Sequence, residues 1–140
     1  MQRKMIVSRF LLLFLVIPNV LVAGDSYEVN SVPNQAEIDT TIRETWTGMC
    51  RALANNDMEK ALTFISVQSL EHYRELFTAF GDRLPEIARE MHDIEPVYIK
   101  SNSAKYLTRK SELYGGRMTT IDYDVYFLAD DNGSWKIDWF

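Results

Sequence analysis

A lone cysteine cannot form a disulfide within its own chain, and Cys50 is the only one in these 140 residues. The sequence is therefore not a disulfide-stapled scaffold, even in an oxidising compartment. Cys50 falls beside Met49 and Leu53 in a helical pattern, which favours a buried, unreactive thiol. Histidine is almost as scarce. His72 and His92 stand far apart, without the i, i+4 pairing or the neighbouring Cys and carboxylates that a transition metal needs, so no metal and no cofactor is expected. Basic residues are outnumbered, 15 Lys and Arg against 20 Asp and Glu, for a net charge of −5. That balance argues against a phosphate-backbone footprint or an anionic membrane surface, both of which need clustered cations. Nucleic acid is not an expected partner.

A long apolar run is missing too. The stretch "FLLLFLVIPNVLVAG" is the nearest approach, but from Phe10 to Ala23 it is short for a membrane span, and Pro18 and Asn19 interrupt it. Preceded by Arg3, Lys4 and Arg9, it reads as a secretory signal peptide over residues 1–24, cleaved after Ala23 or Gly24. An uncleaved anchor is the rival reading. "LVAG" looks like the start of a lipoprotein signal, yet Asp25 stands where that signal needs a cysteine. Cleavage would remove three basic residues and no acidic one, moving the net charge from −5 to −8. The expected product is a soluble acidic protein, periplasmic or secreted, with no membrane anchor after cleavage.

Residues 25–34, "DSYEVNSVPN", lack periodicity and read as a flexible lead. One domain over residues 35–140 is expected to follow. Ile38, Ile42, Trp46, Met49, Cys50 and Leu53 recur at spacings of three and four, placing them on one face of a helix that runs to about Asn55. In "NND", Asn55 or Asn56 suits a left-handed stop and Asp57 a cap for the next helix. A short second helix carries Ala61, Leu62 and Ile65. A third carries Leu70, Tyr73, Leu76, Phe77 and Phe80 and closes at Gly81, and "LPEIAREMHD" permits one or two further turns. From Ile94 the period becomes two, in "PVYIK", "KYLTRKSEL", "RMTTIDYDVYFLA" and the terminal segment, punctuated by "SNS", "YGG" and "DDNG". The expected class is α+β, with N-terminal helices packed on one face of a curved four-stranded antiparallel sheet.

Two stretches, "WTGMCRALANNDMEKALTFIS" and "YFLADDNGSWKIDWF", resemble the nuclear transport factor 2-like superfamily, over roughly Ile38 to Phe140. The resemblance implies a cone-shaped α+β fold with a pocket between sheet and helices. Members of that superfamily use the pocket as enzymes, binding proteins, assembly domains and secretion components alike, so the fold does not choose among them.

Asp122 and Asp124 raise the question of a catalytic pair, and the terminal hairpin bears on it. A two-residue turn at Asn132 and Gly133 would set Phe127 against Asp138. A three-residue loop of Asp131, Asn132 and a left-handed Gly133 instead sets Phe127 against Ile137, Val125 against Trp139 and Ala129 against Trp135. Every inward pair is then apolar, and Asp122, Asp124, Lys136 and Asp138 share the opposite, solvated face. No catalytic residue is assigned. "YGG" reads as a turn rather than a phosphate loop, Ser66 and Ser69 as residues at a helix start, and "NGS" at Asn132–Ser134 as a formal glycosylation acceptor.

Arg109 stands out by alternation, in phase with Leu107 and Leu113 and so aimed toward the core side. There it could anchor an anionic or aromatic ligand together with Trp46, Tyr73, Tyr98 and Tyr123. The alternative is a rim arginine that keeps its head in water, with the aromatics serving the core. The functional expectation is an exported binding or protein-interaction domain, for a small molecule or another exported protein, that uses either the pocket or the exposed sheet face. A homodimer through the sheet is compatible with it. The alternative is a small-molecule pocket enzyme of isomerase, cyclase or dehydratase type, implied by the resemblance alone.

Overall fold

The computed structural model describes residues 34–91 and 93–140. The expected signal peptide, nearly all of the lead and His92 lie outside the described residues. No helix among them is long and apolar enough to cross a membrane.

The first helix, α1 (Gln35–Ala54), buries Ile42, Trp46, Met49 and Leu53, the face that the three-and-four spacing predicts. It stops where Asn56 turns left-handed, at φ 56°, and the Asp57 amide reaches back to the Ala52 carbonyl at 2.9 Å. Asp57 then caps α2 (Met58–Leu62) by accepting the Lys60 amide at 3.1 Å. The third helix, α3 (Leu70–Phe80), buries Tyr73 and Phe77 and ends at Gly81, where φ is 49°. A single 3-10 turn (Gly81–Arg83) leads into α4 (Leu84–Glu90), which packs on α1.

Four antiparallel strands follow in the order β1 (Ile94–Ile99), β2 (Ser103–Tyr114), β3 (Arg117–Ala129) and β4 (Trp135–Trp139). Gly115 and Gly116, both at positive φ, join β2 to β3 in a two-residue turn. That turn pairs Tyr114 with Arg117, and hence Tyr106 with Val125 and Ala104 with Phe127. These last four are buried under the helices. The free edge of β1 is blunted by Pro96, which lacks an amide hydrogen, and by a bulge at Val97. At the other edge, Ile65 makes a parallel bridge to Ile137, with Ser66 N–H donating to the Ile137 carbonyl and Ile137 N–H to the Phe64 carbonyl, each at 2.8 Å.

The β3–β4 hairpin closes through the three-residue loop. Gly133 sits at φ 77°, and the Asp130 carboxylate accepts the amides of Asn132 and Ser134. Ala129 pairs with Trp135 and Phe127 with Ile137, as expected. The expected pairing of Val125 with Trp139 does not form. Tyr126 takes Trp139 instead, leaving Asp138 in a bulge. The Asp138 carboxylate accepts hydrogen bonds from Ser66 Oγ (2.7 Å), Gln68 Nε2 (2.7 Å) and Ser69 Oγ (3.1 Å), so it is not a solvated side chain but a clasp onto the start of α3.

Candidate functional site

Between α1, α3 and α4 on one side and β2 and β3 on the other lies a cleft of about 490 Å³. Its apolar wall comes from the helices: Leu53, Leu76, Phe77, Phe80, Leu84, Ile87 and Met91. Trp46 and Phe140 meet edge to face at its floor, with ring centroids 5.4 Å apart. Its polar groups are Thr108, Lys110 and Glu112 of β2 and Tyr123 of β3, with Arg109 at the rim and Arg83 and Glu90 on the helix side.

This division follows from strand alternation. Ala104 and Tyr106 point into the core, so Thr108, Lys110 and Glu112 lie in the same phase. Lys110 Nζ is 2.9 Å from Glu90 of α4 and 3.4 Å from Glu112. The Tyr123 hydroxyl donates to Glu112 at 3.2 Å. The hydrogen bond that Lys110 donates to Glu90, foremost, holds the Lys110 pKa above its ordinary value. Partial desolvation, followed by the bond to Glu112, raises that of Tyr123. Helix and sheet are thus tied across the cleft by one charged chain, Glu90–Lys110–Glu112–Tyr123.

Of the five residues predicted to bind a ligand, Trp46, Arg109 and Tyr123 line this cleft. Tyr73 lies beneath it as a fully buried core residue. Its hydroxyl accepts the Phe140 amide at 2.7 Å and donates to the Phe140 carbonyl at 3.2 Å, and its ring stacks on Phe140 at 4.8 Å. Burial pushes its pKa up to about 12. Tyr98 is on β1, paired with Lys105, and lies under the Lys100 ammonium at 5.0 Å, away from the cleft.

Arg109 touches the cleft rim, but its guanidinium does not point toward the core side as alternation with Leu107 and Leu113 predicted. It is 55% exposed and pairs with Asp122 at 3.1 Å and Glu95 at 3.3 Å. The phase was inverted because Tyr106, buried completely with its hydroxyl 2.6 Å from Asp39, holds the inward position that Leu107 seemed to claim. Asp122 and Asp124 lie on that same outer face. Asp124 bonds Lys105 Nζ at 2.8 Å and the Tyr126 hydroxyl at 3.1 Å. The two acids therefore form an ion-paired stripe, not a catalytic pair in a cleft.

Sequence alternation alone did not find Arg83, Glu90, Lys110 or Glu112. One signal could have found the two β2 residues: a two-residue turn at Gly115 and Gly116 sets Arg109 opposite Asp122, on the face already assigned as outer. No group of three or more metal-ligating side chains occurs among the described residues. Cys50 contacts the Met91 sulfur at 3.6 Å, and burial pushes its thiol up to about 12, outside the range of a reactive thiolate. A second groove, of about 360 Å³, is lined only by α1 residues, among them Thr40, Glu44 and Thr47, and lacks a facing wall.

No protein-family model and no curated protein matches the chain. A solved structure carrying the name Rd1NTF2_05, followed by five substitutions, is similar at 14% identity and a TM-score of 0.44, over 75% of this chain and 96% of its own.

Proposed function

We propose that this chain is an exported domain of nuclear transport factor 2-like type that binds a small molecule in the cleft between its helices and its sheet. The observation that carries the proposal is the cleft itself: about 490 Å³, walled by apolar side chains and closed on one side by a few converging polar groups. Small-molecule sites commonly fall between about 300 and 1,000 Å³ and have this mixture of lining. Export is supported by the charged start and short apolar run of residues 1–24.

Binding is favoured over catalysis because the two carboxylates in the cleft, Glu90 and Glu112, are both already paired with Lys110. Neither stands as a desolvated base over an open reaction space. Titration with a neutral apolar dye that brightens in dry surroundings tests the reading. The protein should bind the dye, and Ile87→Trp, which fills the cleft from α4, should fold and lose most of that binding. Undiminished binding by a folded Ile87→Trp protein would place the dye elsewhere and count against the cleft. Intact mass of the protein from the medium or periplasm tests export: loss of residues 1–23 or 1–24 is expected, and recovery in membranes with the segment attached would contradict it.

A further inference from the structure

The charges of the cleft are unevenly satisfied. Each carboxylate has a partner: Glu90 has Lys110, while Glu112 has Lys110 and the Tyr123 hydroxyl. Lys110 commits two of an ammonium's three donors to them, leaving one. Arg83, in the 3-10 turn before α4, lines the same cleft, is exposed, and makes no hydrogen bond or ion pair among the described residues. A guanidinium with all its donors unspent at the mouth of an apolar cleft is matched in shape and charge to a carboxylate.

On the reading of the cleft as a small-molecule site, we propose that its ligand is an amphipathic anion. An elongated apolar body lies against Phe80, Leu84 and Ile87, and one carboxylate head is received by Arg83, with the remaining donor of Lys110 in support. Burial of the body supplies most of the affinity, in proportion to the apolar area removed from water. The head supplies selectivity. A cationic head would compete with Lys110 for Glu90 and Glu112, whereas an anionic head meets donors that have no other partner among the described residues.

Calorimetric titration of the protein, produced from its full 140-residue sequence, tests this with three twelve-carbon probes, dodecanoate, dodecan-1-ol and dodecylamine, the two ionic ones below their micellar concentrations and the alcohol below its solubility limit. Dodecanoate should bind about tenfold more tightly than dodecan-1-ol, the scale of one good charge-assisted pair. Arg83→Gln should erase that preference by weakening dodecanoate far more than dodecan-1-ol. Arg51→Gln, which removes a cation from the exposed face of α1, should keep it. Equal affinities for acid and alcohol, tightest binding of the amine, or a preference that survives in Arg83→Gln would overturn the proposal while leaving the cleft a binding site. Failure of dodecan-1-ol to bind at all would remove the cleft reading together with it.

Discussion

Tyr106 donates its hydroxyl proton to Asp39 across 2.6 Å, joining the middle of the sheet to the first turns of α1. Arg43 completes the junction: its Nε lies 3.0 Å from Asp39, and its Nη1 donates to the Ile94 carbonyl at 2.6 Å. The phenol is otherwise fully buried, so this carboxylate is what makes a tyrosine tolerable at that core position. Tyr106→Phe should fold but lose about 1–2 kcal/mol of stability in urea unfolding, since a hydrogen bond to a charged group is at stake. A variant as stable as the parent would show that the bond contributes nothing net.

The same junction sets an acid limit. Desolvation raises the Asp39 pKa, but the hydrogen bonds from Tyr106 and Arg43 outweigh it and leave it below the ordinary 3.8. A depressed folded pKa gives stabilisation that is present above 3.8 and lost as pH falls through the folded value. The stability gap between the parent and Asp39→Asn should therefore be full at neutral pH and shrink below about pH 3.8. A gap that stays constant to pH 2.5 would contradict the assignment.

At alkaline pH the sign reverses for Tyr73. Its pKa is raised from 10.0 to about 12, chiefly by burial, so its contribution is intact below pH 10 and disappears as pH rises toward 12. Tyr73→Phe, lacking an ionisable group there, should show a shallower loss of stability between pH 10 and 12 than the parent. Parallel curves would place the alkaline limit elsewhere.

Much of this was legible in the sequence, and the failures have a common cause. Apolar spacing marked the buried face of α1, and Asn56 and Asp57 marked its end, because helix periodicity and capping are local. The β3–β4 loop was legible because only one loop length sets apolar against apolar. Two things depended on distant partners. The bulge at Asp138 needs Ser66, Gln68 and Ser69, which lie far back in the chain. The phase of β2 needs Asp39, which lets Tyr106 go inside and sends Leu107 out. Leu107 and Leu113 suggested the wrong face because β2 and β3 run beyond the helices, where Leu113 is exposed at 70%.

Asp122 and Asp124 sit on the face away from the cleft, in exposed ion pairs with Arg109 and Lys105. Exposed pairs of this kind add little to stability and nothing to a site behind the sheet. The double change to Asn should leave the urea midpoint and dye binding unchanged. Loss of binding in a folded double variant would mean that the outer face takes part.

Gly133 closes the terminal hairpin at φ 77°, a conformation that costs a residue with a Cβ atom. Nothing lies within 4 Å of where that Cβ would be, so Gly133→Ala tests backbone strain alone. It should destabilise by about 1 kcal/mol without altering ligand binding. A neutral effect would mean that the loop relaxes into another turn.

A small apolar molecule should sit in the cleft between the helices and the sheet. Amide NMR spectra recorded during titration with dodecan-1-ol locate it residue by residue. The largest shifts should gather at Leu53, Phe77, Leu84, Met91 and Tyr123, which line the cleft from the helices and from β3. Thr40, Glu44 and Thr47 on the α1 groove, and Lys105 and Tyr126 on the outer face of the sheet, should stay in place. Shifts concentrated on either of those surfaces, with the cleft residues unmoved, would contradict the assignment of the cleft as the binding site.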